Sequence, residues 1–438
     1  MAGLTPATVD GSDVPSGVQF AEAMRFRESF QLRRDEEWVL SSLAMDSAFP
    51  SAEFGVPLTT GEADEIARRI AVQERATPAF EHASAQPDFA GAYIDQAKSG
   101  RPVFVFTGRR ASHQGDLEQL LPDVSFDIRI ADQTLDELRR SADEAFAEFP
   151  SLLDAGVPVA SVAPDEVNNT LEFGLAEWSS SAAEVLRERF GRDITLTVMG
   201  WAELDCFGYG SCGNPLKGGI RIDRANYNGS GPMCTSGWVG RRESNNALVI
   251  VTAGHCLANN DGSGSNIHWK HDSSTFGNAV NFHFHNGSGV DVGIISIDDW
   301  DSGEPRNKFF LFPAGQGGTK EVRSLLSKRS NSAQTVGSAV CRSGAKTKTH
   351  CGTIHARHAN RYTPGPGGSS VQLTNMWVAN FDADGGDSGG PYFHTNTAYG
   401  IHSSSTPGYD PDAGYGWYTT VDNIDAETGW NICLSAAC

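Results

Sequence analysis

No cysteine occurs before position 206 in this chain of 438 residues, yet eight follow. An even number of cysteines gathered in one half is the pattern of disulfides formed in an oxidising compartment. Long apolar runs are missing too, and no stretch approaches the length of a membrane-spanning helix, so no membrane partner is expected. Met1-Ala2-Gly3-Leu4-Thr5-Pro6 has neither the basic start nor the apolar core of a signal peptide. Disulfides without an export signal are inconsistent in most cells, so a native signal is expected to have preceded this numbering, with non-classical export as the alternative. Positive charge is scarce: 34 Lys and Arg stand against 54 Asp and Glu, a net charge of −20. Such a surface argues against nucleic acids and anionic membranes as partners.

The deficit is uneven. Residues 216–438 hold 17 basic and 18 acidic side chains, so residues 1–215 carry a net −19. The length suits two or three domains, and the charge split suggests two parts with different tasks. In the first part, Gly61 to Ala76 and Leu135 to Phe149 show helical spacing, the former with Ala63, Ile66, Ala67 and Ile70 on one face. Strand-like runs lie at Phe89 to Asp95, Val103 to Thr107, Val159 to Val162, Thr170 to Gly174 and Ile194 to Val198, with a helix at Ser180 to Phe190. The repeated order predicts two related α/β units, about 50–150 and 155–200, and the part is read as α+β. The second part breaks into short β-type runs between Gly, Asn and Ser: Leu248 to Thr252, Val280 to Phe284, Val292 to Ile297, Gln334 to Val340, Val371 to Val378, Ala398 to His402 and Tyr415 to Thr420. Regular short strands predict an all-β barrel or sandwich.

Two motifs carry chemistry. Thr252-Ala253-Gly254-His255-Cys256 supplies a base, and Gly386-Asp387-Ser388-Gly389-Gly390-Pro391 a nucleophile. A serine hydroxyl attacks poorly until a histidine accepts its proton, and the histidine needs a carboxylate to fix its tautomer. Asp291 in Gly289-Val290-Asp291-Val292-Gly293 is the candidate, because it begins an apolar run that reads as a buried strand, where a lone acid is costly. Asp298 and Asp299 sit beside Trp300 in a polar turn and read as solvated. His283-Phe284-His285 would put two rings on one strand face, but exposed strand histidines are the better reading, and no metal or other cofactor is expected.

The order His255, Asp291, Ser388 resembles the trypsin/chymotrypsin-like proteases, and within them the secreted bacterial branch of streptogrisins and α-lytic protease. The likeness spans about Leu216 to Trp430 and includes Cys341-Arg342-Ser343-Gly344 with Cys351-Gly352-Thr353-Ile354, and Thr397-Ala398-Tyr399-Gly400-Ile401. It implies an all-β double barrel of six-stranded halves at 218–438, with Cys234 paired to Cys256 and Cys341 to Cys351. Cys206 with Cys212 and Cys433 with Cys438 are paired only by proximity in sequence. It further implies that backbone N–H groups of Gly386 and Ser388 form the oxyanion hole, supported by an ion pair of Arg342 with Asp387. Residues 1–205, with Phe54-Gly55-Val56-Pro57-Leu58-Thr59, look like the folded pro-region of this branch, an intramolecular inhibitor and folding aid. A linker at 206–217 follows, and processing is expected between Gly200 and Lys217.

The expected function is therefore a secreted serine endopeptidase acting on polypeptide substrates and made as a zymogen. The alternative is a non-catalytic binding protein on a protease scaffold. For specificity, Gly400-Ile401-His402-Ser403 resembles the phrase of glutamyl endopeptidases and exfoliative toxins, in which the histidine contacts a substrate carboxylate, and imidazole can fill that role near neutral pH. Asp382, six residues before Ser388, stands where trypsin-like enzymes select Arg or Lys. Ser403, Ser404 and Ser405 would line the cleft wall and favour a short polar residue. The reading leans to cleavage after Glu or Asp, with Arg or Lys as runner-up.

Overall fold

The computed structural model describes residues 17–44, 54, 56, 58–200, 203–204, 217–224, 233–242, 247–258, 268–271, 274–298, 307–311, 321–365, 368–381, 383–406 and 414–434. None of the described helices is long and apolar enough to cross a membrane.

Helices α1 (Gly17–Ser29) and α2 (Glu36–Ala44) open the chain and bury Phe26, Phe30 and Val39. Helix α3 (Thr60–Ser84) begins at a capping box in which Thr59 and Glu62 exchange backbone and side-chain hydrogen bonds. It runs past the expected end at Ala76, through Pro78, because Ala79, Phe80 and Ala83 extend the buried face of Ile66, Val72 and Ala76. Packing of that face outweighs the hydrogen bond that proline removes. Strands β1 (Phe89–Asp95) and β2 (Arg101–Phe106) form a hairpin, and helix α4 (Arg110–Leu120) returns the chain to β3 (Asp127–Ile130), parallel to β2. The predicted helix from Leu135 to Phe149 is split into α5 (Leu135–Ala147) and α6 (Phe149–Asp154), with Pro150 in the first turn of the second, where its missing N–H does no harm. A second hairpin of β4 (Val159–Asp165) and β5 (Thr170–Leu175) then leads through α7 (Ser180–Phe190) to β6 (Thr195–Val198), parallel to β5. The order hairpin, helix, parallel strand thus occurs twice, each with its own apolar core. The short strand β7 (Glu203–Leu204) ends this part.

The rest is β. Its first sheet uses β8 (Arg221–Arg224), β9 (Met233–Thr235), β10 (Val239–Arg241), β11 (Leu248–Thr252), β12 (His268–His271), β13 (Ser274–His283) and β14 (Val292–Ser296), with helix α8 (Gly254–Leu257) after β11. A hairpin of β15 (Lys308–Leu311) and β16 (Glu321–Ser324) and the bridge strand β17 (Ser327–Lys328) connect it to the second sheet. That sheet takes β18 (Ala339–Gly344), β19 (Lys348–Pro364), β20 (Ser370–Ala379), β21 (Pro391–His394), β22 (Thr397–Thr406) and β23 (Tyr415–Thr420). Helix α9 (Val421–Thr428) then carries β24 (Asn431–Ile432) back to the edge of the first sheet, beside β10. This is an all-β part of two sheets preceded by an α+β part.

The two parts share one sheet. Strand β19 pairs with β4, so the order β18-β21-β22-β23-β20-β19 continues into β4-β5-β6. Sequence patterning did not point to β19, since Arg357, Asn360, Arg361 and Thr363 are buried there and the strand is broken by bulges. Two of those polar groups meet partners from the first part: Arg357 pairs with Glu166, and Asn360 Nδ2 donates to Asp143 Oδ1 at 2.8 Å. The run from Gln334, expected as a strand, becomes one only at Ala339, after a short 3-10 turn at Asn331–Ala333.

Candidate active site

Strand β11 runs straight into α8, whose second residue is His255, and the Cys234–Cys256 disulfide ties that turn to β9. Asp291 immediately precedes β14, the neighbour of β11, so adjacent strand ends present both groups. His255 Nδ1 lies 2.7 Å from Asp291 Oδ2, and the His255 backbone N–H donates to Oδ1 at 2.9 Å. Ser403 Oγ adds a donor to Oδ2 at 2.6 Å, and Asp291 is wholly buried. Burial pushes the Asp291 carboxyl up, but the histidine and these donors hold it below the ordinary carboxylate range. The ring of Phe284 stands edge-on to His255 with centroids 5.6 Å apart.

Ser388 is buried in the turn before β21, knitted to both barrels. Its carbonyl accepts from Thr235 N at 2.7 Å, and Gly389 N and His402 N bind across to His402 O and Gly390 O. Gly386 has a φ of +113°, and a Cβ there would meet Met233 Cε at 2.3 Å, so the turn that aims its N–H requires glycine. Arg342 Nη1 lies 2.5 Å from Asp387 Oδ2, both side chains fully buried. Lys346 N and Thr347 N donate to Asp387 Oδ1 at 2.9 and 3.0 Å, and Thr347 Oγ1 to Oδ2 at 2.7 Å. Burial raises the Asp387 carboxyl, but Arg342 and these hydrogen bonds outweigh it and hold it far below the usual range.

His402 is fully buried on β22, and its ring stacks on Tyr392 at 5.9 Å with Tyr392 Oη 3.3 Å from Nδ1. Tyr392 stacks in turn on Tyr418 at 4.2 Å, whose hydroxyl donates to Gln334 Oε1 at 3.0 Å. Neither tyrosine was singled out in the sequence, though Tyr392 follows Pro391 directly and Tyr418 pairs with His402 only across strands. Ser403, Ser404 and Ser405 are buried on the same strand, and β7 pairs antiparallel with it, Leu204 opposite Ser404 and Glu203 opposite Ser405. Arg361, also missed, is fully buried, donates from Nη2 to Ser403 Oγ at 3.0 Å and lies over the Trp417 ring. Asp382 lies outside the described residues, as do Cys206, Cys212 and Cys438. The Cys341–Cys351 disulfide is present, and Cys433 is disulfide-bonded. His283 is held by Glu427 at 3.0 Å, and His285 lies beside the Asn286 carbonyl, so the two rings take separate neighbours.

A buried acid, a histidine bound to it and a serine in a buried glycine turn are the residue types that acyl transfer needs. A family model described as Trypsin matches residues 243–426. Glutamyl endopeptidase 2 of Streptomyces griseus is 30% identical over 182 residues, covering 41% of this chain and 81% of that protein. Among solved structures, Thermobifida fusca protease A is 24% identical, with a TM-score of 0.37, over 49% of this chain and 97% of its own. Another, described as a glutamic acid specific serine protease that utilizes a novel histidine triad in substrate binding, is 26% identical with a TM-score of 0.38, over 50% of this chain and 100% of its own.

Proposed function

The chain belongs to the trypsin family and is a serine endopeptidase, and on that premise we propose that Ser388, His255 and Asp291 are its catalytic residues. In this reading Ser388 attacks the scissile carbonyl, His255 takes its proton and delivers it to the leaving amine, and Asp291 orients the imidazole. Gly386 and Ser388 N–H groups stabilise the oxyanion, with Arg342 and Asp387 fixing the turn that presents them. The observation that carries the reading is the chain of contacts from Ser403 through Asp291 to His255. Labelling by a fluorophosphonate tests it: adduct on Ser388, lost in Ser388→Ala, is expected, and labelling that survives the substitution refutes it. Labelling also separates an active protease from a binding scaffold.

For specificity we propose cleavage after Glu or Asp. Support comes from His402 on the strand beside Ser388, from the buried cation Arg361 next to Ser403, and from the name of the Streptomyces griseus relative, a glutamyl endopeptidase. A positional peptide library at neutral pH is expected to rank Glu and Asp first; dominance of Arg or Lys would move the assignment to Asp382 and leave His402 a packing residue. We further propose an exported zymogen, in which residues 1–205 form a pro-region that folds with 218–438 and covers the cleft, with 206–217 as the connecting segment. The pairing of β7 with β22 and of β4 with β19 supports this division of labour.

A further inference from the structure

A guanidinium lies inside the second sheet, two hydrogen bonds from Asp291. Arg361 occupies the middle of β19, with Ser161 of β4 opposite it on one side and Leu373 of β20 on the other. The side chain is fully buried and lies over the Trp417 ring, 4.9 Å from its centroid. Trp417 belongs to an apolar cluster with Met199, Met376 and Phe284, and Phe284 is the ring that stands edge-on to His255. A charge in such surroundings is weakly screened, so its field reaches neighbours that water would otherwise shield.

Donor chemistry fixes the direction of each hydrogen bond from this cation. Guanidinium nitrogens only donate, so at the 3.0 Å contact Ser403 Oγ accepts from Arg361 Nη2. A hydroxyl has one proton, and Ser403 gives it to Asp291 Oδ2 at 2.6 Å, within the range of a charge-assisted bond between oxygens. The same Oδ2 lies 2.7 Å from His255 Nδ1, while Oδ1 accepts the His255 backbone N–H. With a cation on its lone pair Ser403 is held from turning its proton elsewhere, and polarisation along the chain strengthens what it donates. Burial raises the Asp291 carboxyl, and the Ser403 bond is among the interactions that bring it below the ordinary range. Other charged and titratable groups stand around the same residues. Arg224 of β8 donates to the Cys256 and Ala258 carbonyls at 2.8 and 2.6 Å, His283 of β13 meets Glu427, and His402 brackets the Ser388 turn beside the Arg342–Asp387 pair. Glu172 with His355, and Glu166 with Arg357, lie further along β19. A change at Arg361 leaves all of these in the chain, so a difference between variants reports Arg361.

We propose that Arg361 is a positioning residue for proteolysis, acting through Ser403 to lock the Asp291 carboxylate against His255 and to set a buried positive charge behind it. The inference rests on the catalytic assignment above. The lock acts on geometry: Asp291 Oδ2 is held where it accepts the Nδ1 proton, which leaves the Nε2 lone pair for the proton of Ser388. The charge acts on protonation. An imidazolium near a carboxylate and a guanidinium is stabilised less than one near the carboxylate alone, so His255 stays a free base down to lower pH. Removing the cation raises the pH at which His255 loses its proton, and the acid limb of the activity profile moves up with it.

The test compares wild type, Arg361→Gln, Arg361→Lys and Ser403→Ala, each expressed full length and assayed as the processed enzyme on one peptide p-nitroanilide, with active sites counted by fluorophosphonate labelling. In Arg361→Gln the acid limb of kcat/KM is expected to rise by roughly half to one pH unit. Plateau kcat per labelled site should fall about tenfold, with KM changed less than about twofold. Arg361→Lys keeps a donor and a charge and is expected to recover most of the shift. Ser403→Ala also moves the limb up, and its combination with Arg361→Gln moves it less than the two shifts added. A limb that stays at the wild-type pH in Arg361→Gln, a change confined to KM, or additive shifts in the double variant overturns the proposal. Should Arg361→Gln yield no labelled enzyme, the other two variants decide: a limb shifted up in Ser403→Ala and near wild type in Arg361→Lys supports it, and an unmoved limb in Ser403→Ala overturns it. The catalytic assignment fails separately, by labelling or turnover that survives Ser388→Ala. Labelling lost in that variant, together with an unmoved limb in Arg361→Gln, removes only the role of Arg361.

Discussion

At the scale of single residues, the buried pair of Arg342 and Asp387 joins strand β18 to the turn that holds Ser388, the proposed nucleophile. Removing one partner of such a pair strands a charge away from water and typically costs about 3–5 kcal/mol. Arg342→Ala is therefore expected to lower the unfolding midpoint by several degrees and to lose activity, measured by calorimetry and peptide hydrolysis; unchanged stability would count against the role. The sign with pH is fixed by the lowered Asp387 carboxyl: its contribution is present above the ordinary carboxylate value and disappears only as strong acid protonates it in the folded chain. A second expectation concerns unity of action. Ser388→Ala should abolish turnover, and adding His255→Ala should cost little more, because proton acceptor and nucleophile serve one step. Additive losses in the double variant would mean that the two act separately.

At the scale of elements, strand β19 and its neighbours hold the first part against the second through paired polar groups. His355 Nε2 lies 3.1 Å from Glu172 on β5, and His358 meets Arg139 of α5, Arg357 of its own strand and Asn375 of β20. Burial lowers the His355 value, but Glu172 more than reverses it and raises it, while Glu172, raised by burial, is brought below its ordinary range by His355. That contact stabilises docking fully between the free values of Glu and His, about 4.3 and 6.5, and fades on either side. His358 behaves oppositely: burial first, then Arg139 and Arg357, drive it well below its ordinary value. It docks neutral, so acid that protonates the released ring below about pH 6.5 favours separation. As pH falls from 7 to 5, His358 therefore weakens docking while the contact of His355 with Glu172 strengthens it. Titrating the dissociation of the processed halves checks this: His358→Gln should flatten the acid limb, and Glu172→Gln the alkaline one. An acid limb unaltered in His358→Gln would place the sensor elsewhere.

At the scale of the whole molecule, an acidic part of net −19 is bound to a nearly neutral one by a continuous sheet and by a strand lying along β22. A polypeptide substrate that adds to β22 competes for the same backbone groups. The intact chain is thus expected to be latent, and activity to appear when residues 1–205 have been cut and removed. Comparing the purified full-length chain with its processed form, on one peptide substrate, measures this; equal turnover would make the first part an independent module.

What the sequence determined by itself was the chemistry and its order. The proposed triad of His255, Asp291 and Ser388 was legible because nucleophile, base and acid must be particular residue types, and Gly386 and Gly389 stand at positive φ in the turn around Ser388. The helices Ser180–Phe190 and Leu135–Ala147 and strand Phe89–Asp95 were legible for a related reason: their apolar spacing repeats locally. Tertiary structure alone decided the rest. Arg361, Tyr392 and Tyr418 gain their places from partners across strands, and the buried polar run of β19 makes sense only once Glu166, Asp143 and β4 are beside it. The register of β7 on β22 is likewise a pairing of residues 200 and 202 positions apart. Periodicity reports which face of an element is apolar, but which polar group meets which partner is set by contacts far apart in sequence, and those exist only when the chain has closed on itself.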